Sequence, residues 1–157
     1  MTVCFTGHRD LGSEETQRQL RNALDTQIKH LIEKGATTFL AGGALGFDTM
    51  AAEAVLDARA QHPNIRLELL LPCQNQSARW NEAQIRRYNA ILSRADNYTY
   101  ISPFYFQGVM HKRNRALVDS SALCIAFLRE GERGGTAYTV GYATQKGIPV
   151  INLAKKP

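Results

Sequence analysis

Short apolar, β-prone runs alternate with stretches of helical periodicity along the whole chain, and two of these runs lead directly into glycine-rich turns. Thr2 to Thr6, Thr37 to Ala41, Ile65 to Leu71, Asn97 to Ile101, Leu123 to Leu128 and Pro149 to Leu153 have strand character. Between them, Glu14 to Lys34 repeats Leu20, Ala23, Leu24, Ile28, Leu31 and Ile32 at the three- and four-residue spacing that puts one apolar stripe on a helix. Ser13 is a helix cap, and Gly35 stops the helix. Further helices are predicted after Gly46, over Ser77 to Ala95, over Val109 to Ser120 and over Thr136 to Lys146. Strands that alternate with helices and are apolar on both faces predict a mostly parallel sheet covered on each side. The expected fold class is therefore α/β: a single Rossmann-like three-layer α/β/α domain over residues 1–157.

The length of 157 residues suits one core rather than two. Hydrophobic residues at 44% and charged residues at 21% are ordinary for a soluble globular chain, so neither disorder nor a membrane protein is favoured. No apolar run approaches the roughly 18 residues needed to span a bilayer. Met1 to Arg9 lacks a basic segment followed by a long apolar one, so a cytoplasmic location and no membrane partner are expected. Cys4 and Cys124 lie inside apolar runs and are expected to be reduced packing residues. Cys73, at the end of a strand, is placed to face a ligand but has no histidine partner nearby in sequence. The net charge of +5 favours anionic partners without by itself implying nucleic acid.

Ligands of open parallel sheets bind beyond the carboxyl ends of the strands, where neighbouring connections leave to opposite faces. That rule selects Gly7-His8-Arg9-Asp10, Gly42 to Asp48, Pro72-Cys73-Gln74-Asn75, Ser102 to Arg115 and Gly131 to Thr136. Glycines in Gly42-Gly43-Ala44-Leu45-Gly46-Phe47-Asp48 let the backbone approach a phosphate closely, and the amides of the following helix can donate to it. The same glycines also suit tight strand-to-helix packing. A second such turn, Glu130-Gly131-Glu132-Arg133-Gly134-Gly135-Thr136, again precedes a helix, with Thr136 placed to cap it or to bond a phosphate oxygen. His111-Lys112-Arg113-Asn114-Arg115 puts positive charge near a helix start that is already partly positive, a conflict that an anion relieves. Arg113 offers a planar fork, and Asn114 can hold a base edge or a neighbouring loop. Asp48 suits ribose hydroxyls or the capping of amides. Tyr98 and Tyr100 are expected to pack in their strand, whereas one of Phe104, Tyr105 or Phe106 is placed to stack on a base. The histidines are scattered, with His30 and His62 at helix ends, so no metal site is predicted.

In order and spacing, Cys4-Phe5-Thr6-Gly7-His8-Arg9, the Gly42 to Asp48 turn, Leu71-Pro72, Trp80, Arg113-Asn114-Arg115 and Gly134-Gly135-Thr136 resemble the YpsA-like branch of the SMF/DprA and LOG (SLOG) superfamily over nearly the whole chain. The resemblance implies a Rossmann-like fold and a nucleotide-related ligand. LOG relatives are phosphoribohydrolases, releasing a base from a nucleoside monophosphate with a glutamate on the helix after two glycines and a threonine. Here that stretch reads Thr136-Ala137-Tyr138-Thr139-Val140 and holds no carboxylate, so Asp48 or Glu53 would have to substitute. DprA-type relatives bind single-stranded DNA and carry a similar glycine turn and arginine-asparagine-arginine segment.

The leading expectation is binding or sensing of a nucleotide or nucleotide-sugar phosphate, ADP-ribose-type ligands included, at the carboxyl edge of the sheet. Its expected residues are Gly7, His8, Arg9, Gly42, Gly43, Leu45, Gly46, Asp48, Arg113, Asn114, Gly134, Gly135 and Thr136. A LOG-like phosphoribohydrolase and DprA-like single-stranded DNA binding are the alternatives. Self-association into a dimer or larger homo-oligomer is expected from the relatives.

Overall fold

Each apolar run forms a strand and each periodic stretch a helix, in the order β1 (Thr2–Gly7), α1 (Glu14–Glu33), β2 (Thr38–Ala41), α2 (Phe47–Arg59), β3 (Arg66–Cys73), α3 (Glu82–Arg94), β4 (Asn97–Ser102), α4 (Val109–Asp119), β5 (Leu123–Phe127), α5 (Gly135–Gln145) and β6 (Val150–Asn152). The computed structural model describes residues 1–154, so residues 155–157 of the expected domain lie outside the described residues. The strands make one six-stranded sheet in the order β4-β3-β2-β1-β5-β6. Every pairing is parallel, where the sequence predicts only a mostly parallel sheet.

The two faces of the sheet are covered differently. Leu20, Leu24, Ile28 and Leu31 of α1, Met50 to Leu56 of α2, and Tyr88 and Ile91 of α3 pack on one face against Val3, Phe5, Phe39, Leu67 and Leu69. Leu117 and Val118 of α4 and Ala143 of α5 pack on the other, against Cys4, Leu40 and Cys124. The chain therefore leaves β1 to one side through α1 and leaves β5 to the other through α5. Because β1 and β5 are neighbours, with Cys4 opposite Cys124 and Gly7 opposite Phe127, a crevice opens beyond their carboxyl ends. Among the described residues no helix is long and apolar enough to cross a membrane.

Helix starts follow local chemistry. Ser13 accepts a hydrogen bond from the Thr16 amide and caps α1. The helix predicted over Ser77 to Ala95 begins only at Glu82, because Asn81 and Gln84 form a capping box and leave Ser77 to Trp80 in a turn. A sequence periodicity cannot see that nucleation point when the preceding residues are also helix-compatible. Tyr98 departs from the expected packing as well. It is 48% exposed, because β4 is an edge strand, although its ring meets Tyr100 edge to face at 5.9 Å.

Gly7 ends β1 where no side chain fits: a Cβ there would lie 2.4 Å from the ring of Phe47, which stacks on Phe127 at 6.1 Å. Gly141 of α5 has open space around its Cβ position. Gly7→Ala is expected to destabilise the fold by about 2–3 kcal/mol through overpacking, whereas Gly141→Ala stabilises it by roughly 0.5–1 kcal/mol through reduced backbone entropy. Denaturant unfolding of the two variants checks the contrast; equal stabilities would contradict the packing described for Gly7.

Candidate functional site

The crevice between β1 and β5 holds a cavity of about 390 Å³. Its floor is Thr6 and Gly7, its walls are Ala44 and Asp48 on one side and Gly135 and Thr136 on the other, and α4 closes it with Met110, Arg113 and Asn114. Residues from both glycine turns thus face one space. They do not do so in the same way.

The first turn is largely satisfied within itself. The Ala44 amide donates to Asp48 Oδ2 at 3.2 Å, and the Ala44 carbonyl accepts from the Thr49 hydroxyl at 3.0 Å. Of the two readings kept for Asp48, the capping of an amide is therefore the contact it makes. Its glycines meet protein rather than open space. A Cβ on Gly42 would fall 2.6 Å from Arg113 Nη1 and 2.9 Å from Asp48 Oδ2, one on Gly43 2.4 Å from Leu71, and one on Gly46 2.3 Å from the Arg9 carbonyl oxygen. Leu45 lines a neighbouring cleft rather than this cavity. The turn reaches the cavity through Ala44 and Asp48.

The second turn is unsatisfied. Gly134, at φ 110°, precedes α5 with no side-chain cap, and the Thr136 hydroxyl forms no hydrogen bond among the described residues. Thr136 thus lies inside the helix and does not cap it. The amides of Gly135, Thr136 and Ala137 find no acceptor among the described residues, as expected for helix-start donors left without a cap. Thr139, within the stretch where the LOG resemblance expects a glutamate, turns its hydroxyl back onto the Gly135 carbonyl at 2.7 Å. Asp48 is the one carboxylate lining the cavity; Glu53 instead pairs with Arg87.

Arg113 is 5% exposed. Its Nε donates to Asn114 Oδ1 at 2.8 Å and its Nη1 donates to the Gly42 carbonyl, which leaves Nη2 with only the Met110 sulfur at 4.0 Å. Burial pushes its guanidinium pKa down while Asp48 pulls it back up, and an arginine so placed stays protonated. Burial likewise raises the Asp48 carboxyl, opposed by Arg113, by the Ala44 amide and by Arg9. Asn114 Nδ2 has no acceptor among the described residues and sits against Gly135, 3.7 Å from where its Cβ would be.

His8 accepts from the Arg129 amide at Nε2, 3.0 Å away, so its proton is on Nδ1, 4.0 Å from Glu132 Oε2. Burial and then Arg129 lower its pKa, against the pull of Glu132. The imidazole is neutral and ties β1 to the loop before α5, with its ring edge to face on Phe127 at 5.7 Å. Arg9 and Arg133, both exposed, have no ion-pair partner among the described residues, and both line the cavity. Sequence reasoning did not single out Thr6 or Arg133. Thr6 is a polar residue closing an apolar strand at the carboxyl edge, and that was a usable signal; Arg133 was visible only as one residue of its turn.

Removing Arg113 leaves the Asp48 carboxylate buried without its nearby cation. Arg113→Met is expected to cost about 2–4 kcal/mol at neutral pH, and adding Asp48→Asn, which keeps the acceptor for Ala44, to recover at least about 1 kcal/mol. Without Arg113 the folded-state pKa of Asp48 rises further above its unfolded value. The penalty is therefore full above that pKa and shrinks as pH falls through it. Urea unfolding of the single and double variants across pH tests this; a strictly additive pair with no pH dependence would contradict it.

The model of the YspA SLOG family matches residues 3–148 of the chain. A UPF0398 protein of Halalkalibacterium halodurans is 33% identical over 129 residues, which is 81% of this chain and 68% of the relative. The UPF0398 protein YpsA of Bacillus subtilis is 25% identical over 141 residues, 83% of this chain and 76% of that protein. Among solved structures, DNA processing protein A from Helicobacter pylori, described by its single-stranded DNA binding mode, superposes with a TM-score of 0.64 at 22% identity. That alignment covers 96% of this chain but 63% of the other, under two thirds of its length. The X-ray structure of TM1055 gives a TM-score of 0.61 at 16% identity, over 95% of this chain and 71% of that one. At these identities the structural likenesses establish the Rossmann-like α/β fold, and the match along nearly the full length establishes that the chain belongs to the YspA SLOG family.

Proposed function

We propose that this protein binds the phosphate of a nucleotide or nucleotide-sugar in the crevice between β1 and β5. One observation carries the reading: α5 begins without a side-chain cap at that cavity, with the amides of Gly135, Thr136 and Ala137 lacking an acceptor among the described residues. Ser13 caps α1 and Asn81 caps α3 with a side chain; α2 and α4 also lack a side-chain cap, but the Phe47 amide donates to the His8 carbonyl and the Val109 amide to the Phe106 carbonyl. An anion at α5 gains those hydrogen bonds together with the positive end of the helix dipole. The Thr136 hydroxyl, Asn114 Nδ2 and the unpaired guanidinium groups of Arg9 and Arg133 supply further donors around the same space. Buried Arg113 adds positive charge behind them and holds the wall in place.

Single-stranded DNA is the second reading, favoured by one feature of this chain. Phe104 and Tyr105, 75% and 62% exposed, stand on the loop before α4, and Tyr105 shares a cleft with Arg9 and Arg79. Bases stack on such rings while arginines follow the backbone. The H. pylori protein similar in fold binds single-stranded DNA. Arg113 and Arg115 are poor probes of that contact, because Arg113 is buried and Arg115 donates to the Tyr138 hydroxyl at 2.8 Å.

Nucleoside monophosphates, ADP-ribose or cyclic dinucleotides are expected to raise the melting temperature, since a ligand of the folded state alone stabilises it. Arg9→Ala/Arg133→Ala is expected to weaken that binding at least tenfold, as about 1.5–3 kcal/mol is typical of one charge-assisted hydrogen bond. Binding without release of free base is expected, given that Thr136 to Val140 holds no carboxylate. Free base from the monophosphates would favour the hydrolase, and stabilisation by an oligonucleotide alone, lost steeply with added salt, would favour the strand. No stabilisation by any of them would remove the proposal.

A further inference from the structure

The phosphate cavity does not end at Arg9 and Met110. These two residues also border a second, larger cleft of about 720 Å³ beyond β2 and β3. Its other walls are the turn after β3, with Asn75, Gln76, Arg79 and Trp80, and Tyr105 from the loop before α4. From this geometry we infer that the second cleft is a nucleobase subsite, which takes the planar ring of a nucleoside phosphate whose phosphate lies at α5. The inference rests on the phosphate reading given above and adds the class of group attached to it.

Three observations carry it. Trp80 is held in place edge to face against Tyr88, 5.2 Å between ring centroids, so one wall of the cleft is a fixed aromatic group. Tyr105, 62% exposed, has no aromatic partner among the described residues and lines the same space, where burying it on a planar ligand gains apolar contact. Gln76 holds the turn in place by donating from Nε2 to the Tyr88 hydroxyl at 3.1 Å and to the Gly43 carbonyl at 3.4 Å. That leaves Gln76 Oε1 as the one buried side-chain polar atom without a partner among the described residues. A buried acceptor without a donor is uncommon in folded proteins, and the residue that carries it lines the cleft. Bases carry ring and amino N–H groups that match such an acceptor once the Gln76 amide turns it toward the cleft.

Trp80 is the only tryptophan, so its fluorescence reports the cleft directly. Ribose 5-phosphate, the four common nucleoside 5′-monophosphates and a 5′-phosphorylated octanucleotide are titrated into the whole protein, with fluorescence and calorimetry read together. At least one monophosphate is expected to quench Trp80 and to bind more tightly than ribose 5-phosphate, which binds without quenching. Tyr105→Ala, at an exposed position, is expected to weaken that monophosphate about five- to tenfold and leave ribose 5-phosphate unchanged. Quenching by the octanucleotide alone supports the same subsite with a strand end as the source of the base. If ribose 5-phosphate and the monophosphates bind equally, with Trp80 unaffected, the subsite is overturned and the phosphate reading stands. If nothing binds, both fall.

Discussion

The geometry of the site depends on the buried guanidinium of Arg113. It reaches from α4, on one face of the sheet, to the carbonyl of Gly42 at the end of β2, and it lies beside Asp48 at the start of α2 on the other face. A buried charge is tolerated only where hydrogen bonds and an opposite charge compensate it. Here the compensation comes from elements distant in sequence, so the fold cannot satisfy Arg113 without bringing both faces together at the carboxyl edge. Gly42 is glycine because the guanidinium and the carboxylate occupy the space a side chain would need.

That arrangement divides labour between the two glycine turns. The Gly42 to Asp48 turn is bound to itself and to Arg113, and acts as wall. The turn before α5 leaves its amides without an acceptor among the described residues, and is the proposed receptor. Cationic groups surround the receptor, while the single lining carboxylate is held by an amide and drawn toward protonation by burial. The electrostatic balance of the cavity therefore favours an anion, and α5 carries no carboxylate.

Much of this was legible in the sequence. Alternating periodicities fix the order of strands and helices, and the carboxyl-edge rule selects the loops that line the crevice. Glycine turns are visible as glycines, but whether a glycine faces ligand or protein depends on what packs against it. Gly43 against Leu71 and Gly46 against the Arg9 backbone could not be read without the fold. The same limit applies to Arg113, an arginine among several in one run until burial sets it apart. The late start of α3 hid the cleft around Trp80, since a helix drawn from Ser77 would have turned that residue into one more position of an amphipathic face.

The central claim is that an anion sits on the open end of α5, and residue-resolved amide shifts test it most directly. In a ¹⁵N–¹H spectrum titrated with nucleoside 5′-monophosphates, the largest perturbations are predicted at Gly135, Thr136 and Ala137, with smaller ones at Thr6 and Ala44. Saturable perturbations confined to another edge of the sheet, with these amides unmoved, would contradict the account.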